Sequence, residues 1–168
     1  EVFIRHDLNF LISNSYSKSF SIYSERIGAL SVVTNSKDEA ERVMSRLKKM
    51  VRAIYSSPPS HGAYIVQQVL SSPELKQMWL DELAGMSSRI KEMRRKFVTL
   101  LNSKQDKVDF EFINRQAGMF SYSGLDKHQV EKMRKDYAIY TVDTGRICME
   151  GLNEKNIELV ANAVVNVL

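Results

Sequence analysis

Lys18 stands in a polar stretch, Ser13-Asn-Ser-Tyr-Ser-Lys-Ser-Phe-Ser-Ile-Tyr-Ser-Glu-Arg-Ile-Gly28, between two apolar runs, Phe10-Leu11-Ile12 and Ile27 to Val33. Short apolar runs bounded by small polar residues read as buried strands. Lys18 is therefore expected on a loop leaving a sheet edge, where ligands of open α/β sheets bind. An amine stripped of water there has a lowered pKa and becomes a nucleophile. Ser15 and Arg26 flank it, with Ser17 nearby, and a hydroxyl beside a guanidinium is a donor set suited to phosphate. Two more arginines stand at element ends: Arg52 in the last turn of a predicted helix and Arg146 at the start of a predicted strand. On spacing alone, a solvated lysine and solvated arginines are the commoner outcome for each of these positions.

The elements that must carry these side chains can be read from periodicity. Strands are expected at 9–13 and 26–33, on either side of the lysine loop. Ser36 with Glu39 three residues on forms a capping-box pattern. Ala40, Val43, Met44, Leu47, Met50, Val51 and Ile54 then make one helical stripe, which Ser56-Ser57-Pro58-Pro59 terminates. A short apolar helix follows from His61 to Leu70. Pro73 suits a first helical position, and Met78, Trp79, Leu83, Met86, Ile90, Met93, Phe97 and Leu101 predict one helix to about residue 102. Such a helix spans about 45 Å at 1.5 Å per residue, a length that suits a connector between domains. Beyond it, strands are expected at 110–113, 119–122, 139–142 and 147–149. Asp126 and Gln129 cap one helix, and Asn153 opens a closing helix. This interleaving indicates a small α+β domain.

The chain has 168 residues, 43% apolar and 26% charged, enough for a real core and ordinary for a globular protein. A net charge of +4 is weak grounds for a nucleic-acid partner. The single cysteine, Cys148, cannot form an intrachain disulfide, which favours a reducing compartment. No apolar stretch approaches the roughly 20 residues of a membrane span. The chain opens on Glu1 in mid-pattern, so a fragment is expected.

Taken whole, Ser15-Tyr-Ser-Lys18-x-Phe-x-x-Tyr-x-Glu-Arg26-x-Gly-Ala29 resembles the cofactor-lysine segment of the aspartate aminotransferase family, enzymes that use pyridoxal phosphate. The resemblance implies that Lys18 bonds to the cofactor aldehyde and shuttles a proton between substrate and cofactor carbons. It implies that Ser15 and Arg26 hold the phosphate. Thr144-Gly-Arg146-Ile-Cys-Met-Glu-Gly151 resembles the family's C-terminal Gly-Arg-Ile motif, whose arginine grips the substrate α-carboxylate. Val51-Arg52-Ala-Ile-Tyr-Ser-Ser-Pro-Pro-Ser-His-Gly-Ala63 resembles the motif whose arginine reaches the neighbouring subunit's site and pairs with the substrate's side-chain carboxylate. A homodimer acting on dicarboxylic amino acids and keto acids follows. Phe120, in Gln116-Ala-Gly-Met-Phe-Ser121, matches an aromatic of the substrate pocket, though a core aromatic fits the sequence equally well.

The chain also departs from the family pattern. Ser21 stands where glycine is usual, Ile54 and Ser57 replace two asparagines near Arg52, and Cys148 replaces another after Arg146. The family's partner for the pyridine nitrogen lies further upstream than this chain reaches, and Asp7 is too close to Lys18 to serve. The expected architecture is therefore α/β, the C-terminal part of a pyridoxal-phosphate-dependent transferase fold. It would comprise the tail of the large domain (1–72), a connecting helix (73–102) and a small α+β domain (103–168). The expected parent activity is aspartate aminotransferase, cytoplasmic with a mitochondrial location left open, with no metal and no membrane or nucleic-acid partner. An aromatic aminotransferase is the nearest alternative, and the isolated segment is expected to be a structural piece without activity of its own. Two rivals rest on single motifs. Ser15-Tyr-Ser-Lys18 is the Ser-x-x-Lys tetrad of acyl-serine enzymes, but their companion motifs are missing. Asp143-Thr144-Gly145 is the tripeptide of dimeric aspartic proteases, and Arg146 beside it fits poorly.

Overall fold

The computed structural model describes residues 2–168, which divide into two compact units, one ending at Leu80 and one spanning Asp81–Leu168. In the first unit a short helix α1 (Val2–Arg5) precedes an antiparallel hairpin, β1 (Phe10–Ser15) and β2 (Gly28–Val33), in a register running from Phe10 opposite Val33 to Ser15 opposite Gly28. The register brings the two ends of the lysine loop together at its neck. Gly28 is required there: a Cβ would lie 2.5 Å from the Asn14 carbonyl oxygen of the opposite strand.

Helix α2 (Lys37–Ile54) begins where the capping pattern places it, with Ser36 Oγ accepting the Glu39 N–H at 3.2 Å. The other half of the expected box is displaced by one residue, because the Glu39 carboxylate accepts from Asn35 N rather than from Ser36. The apolar stripe forms as predicted but has no buried residue; Met50 and Ile54 are 57% and 71% exposed. Ser56, in the left-handed region at φ 60°, ends the helix ahead of the two prolines. Helix α3 (His61–Ser71) buries Gly62 and Val66.

Helix α4 (Pro73–Lys104) opens at Pro73 and runs 32 residues, uninterrupted at Gly85, with residues in both units. In the second unit its Met93, Phe97, Val98 and Leu101 join a single core with Phe110, Ile113, Val130, Met133, Ile147, Met149 and the apolar face of the closing helix. Phe97 and Leu101 are fully buried. Truncating Phe97 to alanine is expected to lower stability by about 3–5 kcal/mol through lost transfer energy and the cavity left behind. A urea unfolding midpoint indistinguishable from that of the parent would contradict this assignment of the core.

Residues 110–113, expected as a strand, instead enter a short helix, α5 (Glu111–Asn114). Asn102 Oδ1 accepts the Phe110 N–H, and Asp109 Oδ1 accepts the Glu111 N–H. These caps turn the chain so that Phe110 and Ile113, three residues apart, both enter the core. Next come β3 (Phe120–Tyr122), α6 (Lys127–Tyr137) and β4 (Arg146–Cys148). The α6 capping box is complete: Asp126 accepts from Gln129 N, and the Gln129 side chain accepts from Asp126 N. Residues 139–142 are not a strand. Ala138 in the left-handed region lets Ile139 N bond to Met133 O, and Gly145 N closes a turn onto Val142 O. β3 pairs antiparallel with β4, Phe120 opposite Cys148 and Tyr122 opposite Arg146. The closing helix α7 spans Ile157–Val167, after a turn at 153–156 in which Asn153 Oδ1 accepts the Lys155 N–H.

Candidate functional site

The structure gathers Ser15, Lys18 and Arg26 on one loop. Ser15 ends β1, and the neck is closed by Tyr16 N bonding to Ile27 O at 3.0 Å. Two overlapping turns, Phe20 N to Tyr16 O and Ser21 N to Lys18 O, then curl the chain around Lys18. Ser15 Oγ accepts the N–H of buried Ser17 at 3.3 Å, which orients the hydroxyl within the loop. Lys18 is exposed, and its Nζ lies 5.7 Å from the centroid of the Tyr23 ring. The enclosure that a desolvated amine requires is thus not formed around Lys18 by the described residues; the curled backbone carries it.

Arg26 follows a 3-10 turn at Tyr23–Glu25 and adopts φ 55°, with its Nη1 donating to Tyr23 O at 2.8 Å. Its backbone is backed by the start of α3. A Cβ on Gly62 would lie 2.5 Å from Ile27 and 2.7 Å from Glu25, so only glycine permits this approach. His61 Nδ1 lies 3.3 Å from the Glu25 carboxylate beside it. Ser21, the position at which the resemblance implies glycine, is itself in the left-handed region at φ 55°. The backbone conformation that glycine favours is therefore retained by a residue for which it costs roughly 1–2 kcal/mol.

An aromatic support holds the loop and was not foreseen in the sequence. The Trp79 ring stacks on Phe20 with centroids 4.6 Å apart, Phe20 meets Tyr16 edge-on at 5.5 Å, and Trp79 Nε1 donates to Ser19 O at 2.7 Å. Trp79 belonged to a helical stripe and so read as an ordinary core residue. Only its being the one tryptophan of the chain, with an N–H that needs a partner when covered, marked it out.

In the second unit, Arg146 and Phe120 come together on the exposed face of the β3–β4 ribbon. The Arg146 guanidinium carbon lies 4.7 Å from the Phe120 ring centroid. Phe120 is thus a surface aromatic rather than a core one. Gly145, at φ 75°, sets the strand that presents Arg146; a Cβ there would lie 2.4 Å from Leu125 O, and Ser123 Oγ donates to Gly145 O at 2.6 Å. Cys148 is exposed on the same face. Arg52 lies exposed in the last turn of α2. Asp143, on which the protease reading rests, has its carboxylate facing two cations, Arg134 at 3.1 Å and Lys127 at 3.7 Å.

No described helix is long and apolar enough to cross a membrane. Comparison with known proteins adds the family. Residues 1–164 match the model of aminotransferase class I and II. The chain is 50% identical over 167 residues to an aspartate aminotransferase of Pseudomonas aeruginosa, covering 99% of this chain and 42% of that protein. It is 43% identical to an aromatic-amino-acid aminotransferase of Escherichia coli, covering 94% of this chain and 40% of that protein. Among solved structures, an aromatic-amino-acid aminotransferase from Burkholderia pseudomallei, covalently bound to pyridoxal phosphate, superposes with a TM-score of 0.92 at 52% identity, covering 99% of this chain and 42% of that one. The chain thus spans about two-fifths of the length of these relatives, and over that span its mixed helix and strand architecture is theirs. With its pattern matched along nearly all its length and its backbone following theirs, the chain belongs to the aminotransferase class I and II family.

Proposed function

We propose that the protein containing this chain is a homodimeric, pyridoxal-phosphate-dependent aspartate aminotransferase, converting L-aspartate and 2-oxoglutarate to oxaloacetate and L-glutamate. The observation that carries the proposal is the lysine loop: one amine, one oriented hydroxyl and one guanidinium held on a single closed turn. That donor set suits a phosphorylated aldehyde, the amine for the carbonyl and the other two for the phosphate. Pyridoxal phosphate, when bound, supplies the aldehyde and a ring that withdraws electrons from the substrate α-carbon. Lys18 would hold the group, and its Nζ would take the proton from the substrate α-carbon and deliver it to the cofactor carbon. Ser15 and Arg26 bind the phosphate. Arg146 orients the α-carboxylate through its two-pronged guanidinium, with Phe120 lining the pocket beside it. Arg52 serves the neighbouring subunit, pairing with the substrate's second carboxylate.

The same proposal assigns residues 1–72 to the tail of the large domain, 73–102 to the connecting helix and 103–168 to the small domain. The segment alone is inactive in this reading, consistent with the exposed apolar stripe of α2 and the exposed strand residues Leu11 and Leu30. A cytoplasmic location is proposed with it; relatives of both kinds exist, a cytoplasmic aspartate aminotransferase of Dictyostelium discoideum and a mitochondrial one of Trypanosoma brucei.

Aspartate and phenylalanine compared as amino donors test the substrate class. Two arginines clasping both ends of the substrate should favour aspartate by at least about tenfold in kcat/KM, since a charge-assisted hydrogen bond contributes about 1.5–3 kcal/mol. A preference for phenylalanine would move the protein to the aromatic aminotransferases, the second reading favoured by the relatives of that name.

A further inference from the structure

Beneath the Phe120–Arg146 face lies a cation that the proposed mechanism does not use. Along the β3–β4 ribbon, Phe120, Tyr122, Arg146 and Cys148 face outward, while Ser121 and Ile147 are buried. Arg94, from α4, enters this buried side and is only 4% exposed. Its Nε donates to Ser121 Oγ at 3.3 Å and its Nη2 to the Gly118 carbonyl. Burial pushes the guanidinium down from its usual proton affinity. Among the described residues, its recorded partners are a hydroxyl and a carbonyl rather than a carboxylate. An apolar side chain would fill such a site at lower cost in desolvation, so a buried cation here is explained by what it holds in place.

What it holds is the entry to β3. Gly118, at φ 86°, makes the turn into the strand, and Ser121 is its central residue, so the two anchors bracket Phe120. We infer that Arg94 is a positioning residue for substrate recognition, holding the Gly118 carbonyl on one side of Phe120 and the Ser121 hydroxyl on the other and thereby fixing the ring against which the Arg146 guanidinium is set. The inference rests on the proposed role of Arg146. It concerns a residue that touches neither substrate nor cofactor and acts through Phe120 and Arg146.

The test uses the intact holoenzyme, with R94M, R94K and S121A beside R146L as the reference. Three quantities are read: KM for aspartate and 2-oxoglutarate, the Kd of succinate as a non-reacting dicarboxylate by calorimetry, and the thermal midpoint. R94M should raise both KM values and the succinate Kd by about tenfold or more, because misplacing a binding group by an ångström can cost on the order of a hundredfold. The visible absorbance of the cofactor on Lys18 should be unchanged. R94K, which keeps the charge but not the fork, should recover part of the loss, and S121A should show a smaller rise. If R146L weakens succinate while R94M lowers only the thermal midpoint, Arg94 is structural and the inference falls while the site reading stands. If R146L itself leaves succinate binding intact, the site reading falls and the inference with it. Should R94M fail to fold, R94K and S121A decide by the same readings, and unchanged KM and Kd in both would overturn the inference.

Discussion

Replacing Lys18 with alanine in the complete enzyme is expected to lower transamination turnover at least about 10⁴-fold, the upper range of what a positioned acid–base group contributes. Two functions are lost at once. The protein no longer bonds to the cofactor aldehyde, and no amine remains to carry the proton from the substrate α-carbon. The loop itself should survive, because its fold rests on backbone bonds at Tyr16, Phe20 and Ser21 and on the Trp79–Phe20 stack, none of which uses the lysine side chain. Ser15 and Arg26 should therefore still retain cofactor without the covalent link. Steady-state turnover and the visible spectrum separate the outcomes: near-parental activity in K18A would show that the amine does neither task.

The second large effect is expected at Arg146. Changing it to leucine removes a two-pronged, charge-assisted contact to the α-carboxylate and leaves that anion without its partner. Losing one side of such a pair costs about 2–5 kcal/mol, or roughly 30- to several thousand-fold in kcat/KM. Leucine retains apolar contact with Phe120, so a fall in activity reports the missing charge more than lost packing. Lysine is not expected to restore it, since an ammonium lacks the planar fork. The loss should fall on every amino donor, because all share the α-carboxylate. An R146L enzyme with an unaltered kcat/KM for aspartate would contradict the assigned role.

Much of this was legible in the sequence wherever the determining residues are close together. Ser36 and Asp126 start helices through contacts within one turn, Pro73 opens another through its fixed backbone angle, and periodicity placed the stripes of α2 and α4. The lysine loop could be seen for the same reason, since Ser15, Lys18 and Arg26 fall within a dozen positions. What escaped depends on partners distant in the chain. Phe110-Glu-Phe-Ile113 alternates like a strand, yet Asn102, eight residues earlier, accepts the Phe110 N–H and helps start a helix. Ile139 to Val142 has strand-like composition but gains no neighbouring strand, and a strand exists only by pairing. Arg94 stands in a charged run, Lys91 to Lys96, whose composition carries no sign of burial. Its burial is set by Gly118 and Ser121, more than twenty residues on. Trp79 likewise supports a loop sixty residues away.

Reduction of the holoenzyme with borohydride followed by peptide mapping tests the central claim most directly. Reduction makes permanent any bond between a lysine nitrogen and the cofactor aldehyde. The pyridoxyl mass is expected on the peptide carrying Lys18, at one label per chain, and absent from K18A. A label on another lysine, or none on an active enzyme that retains its cofactor, would contradict the account.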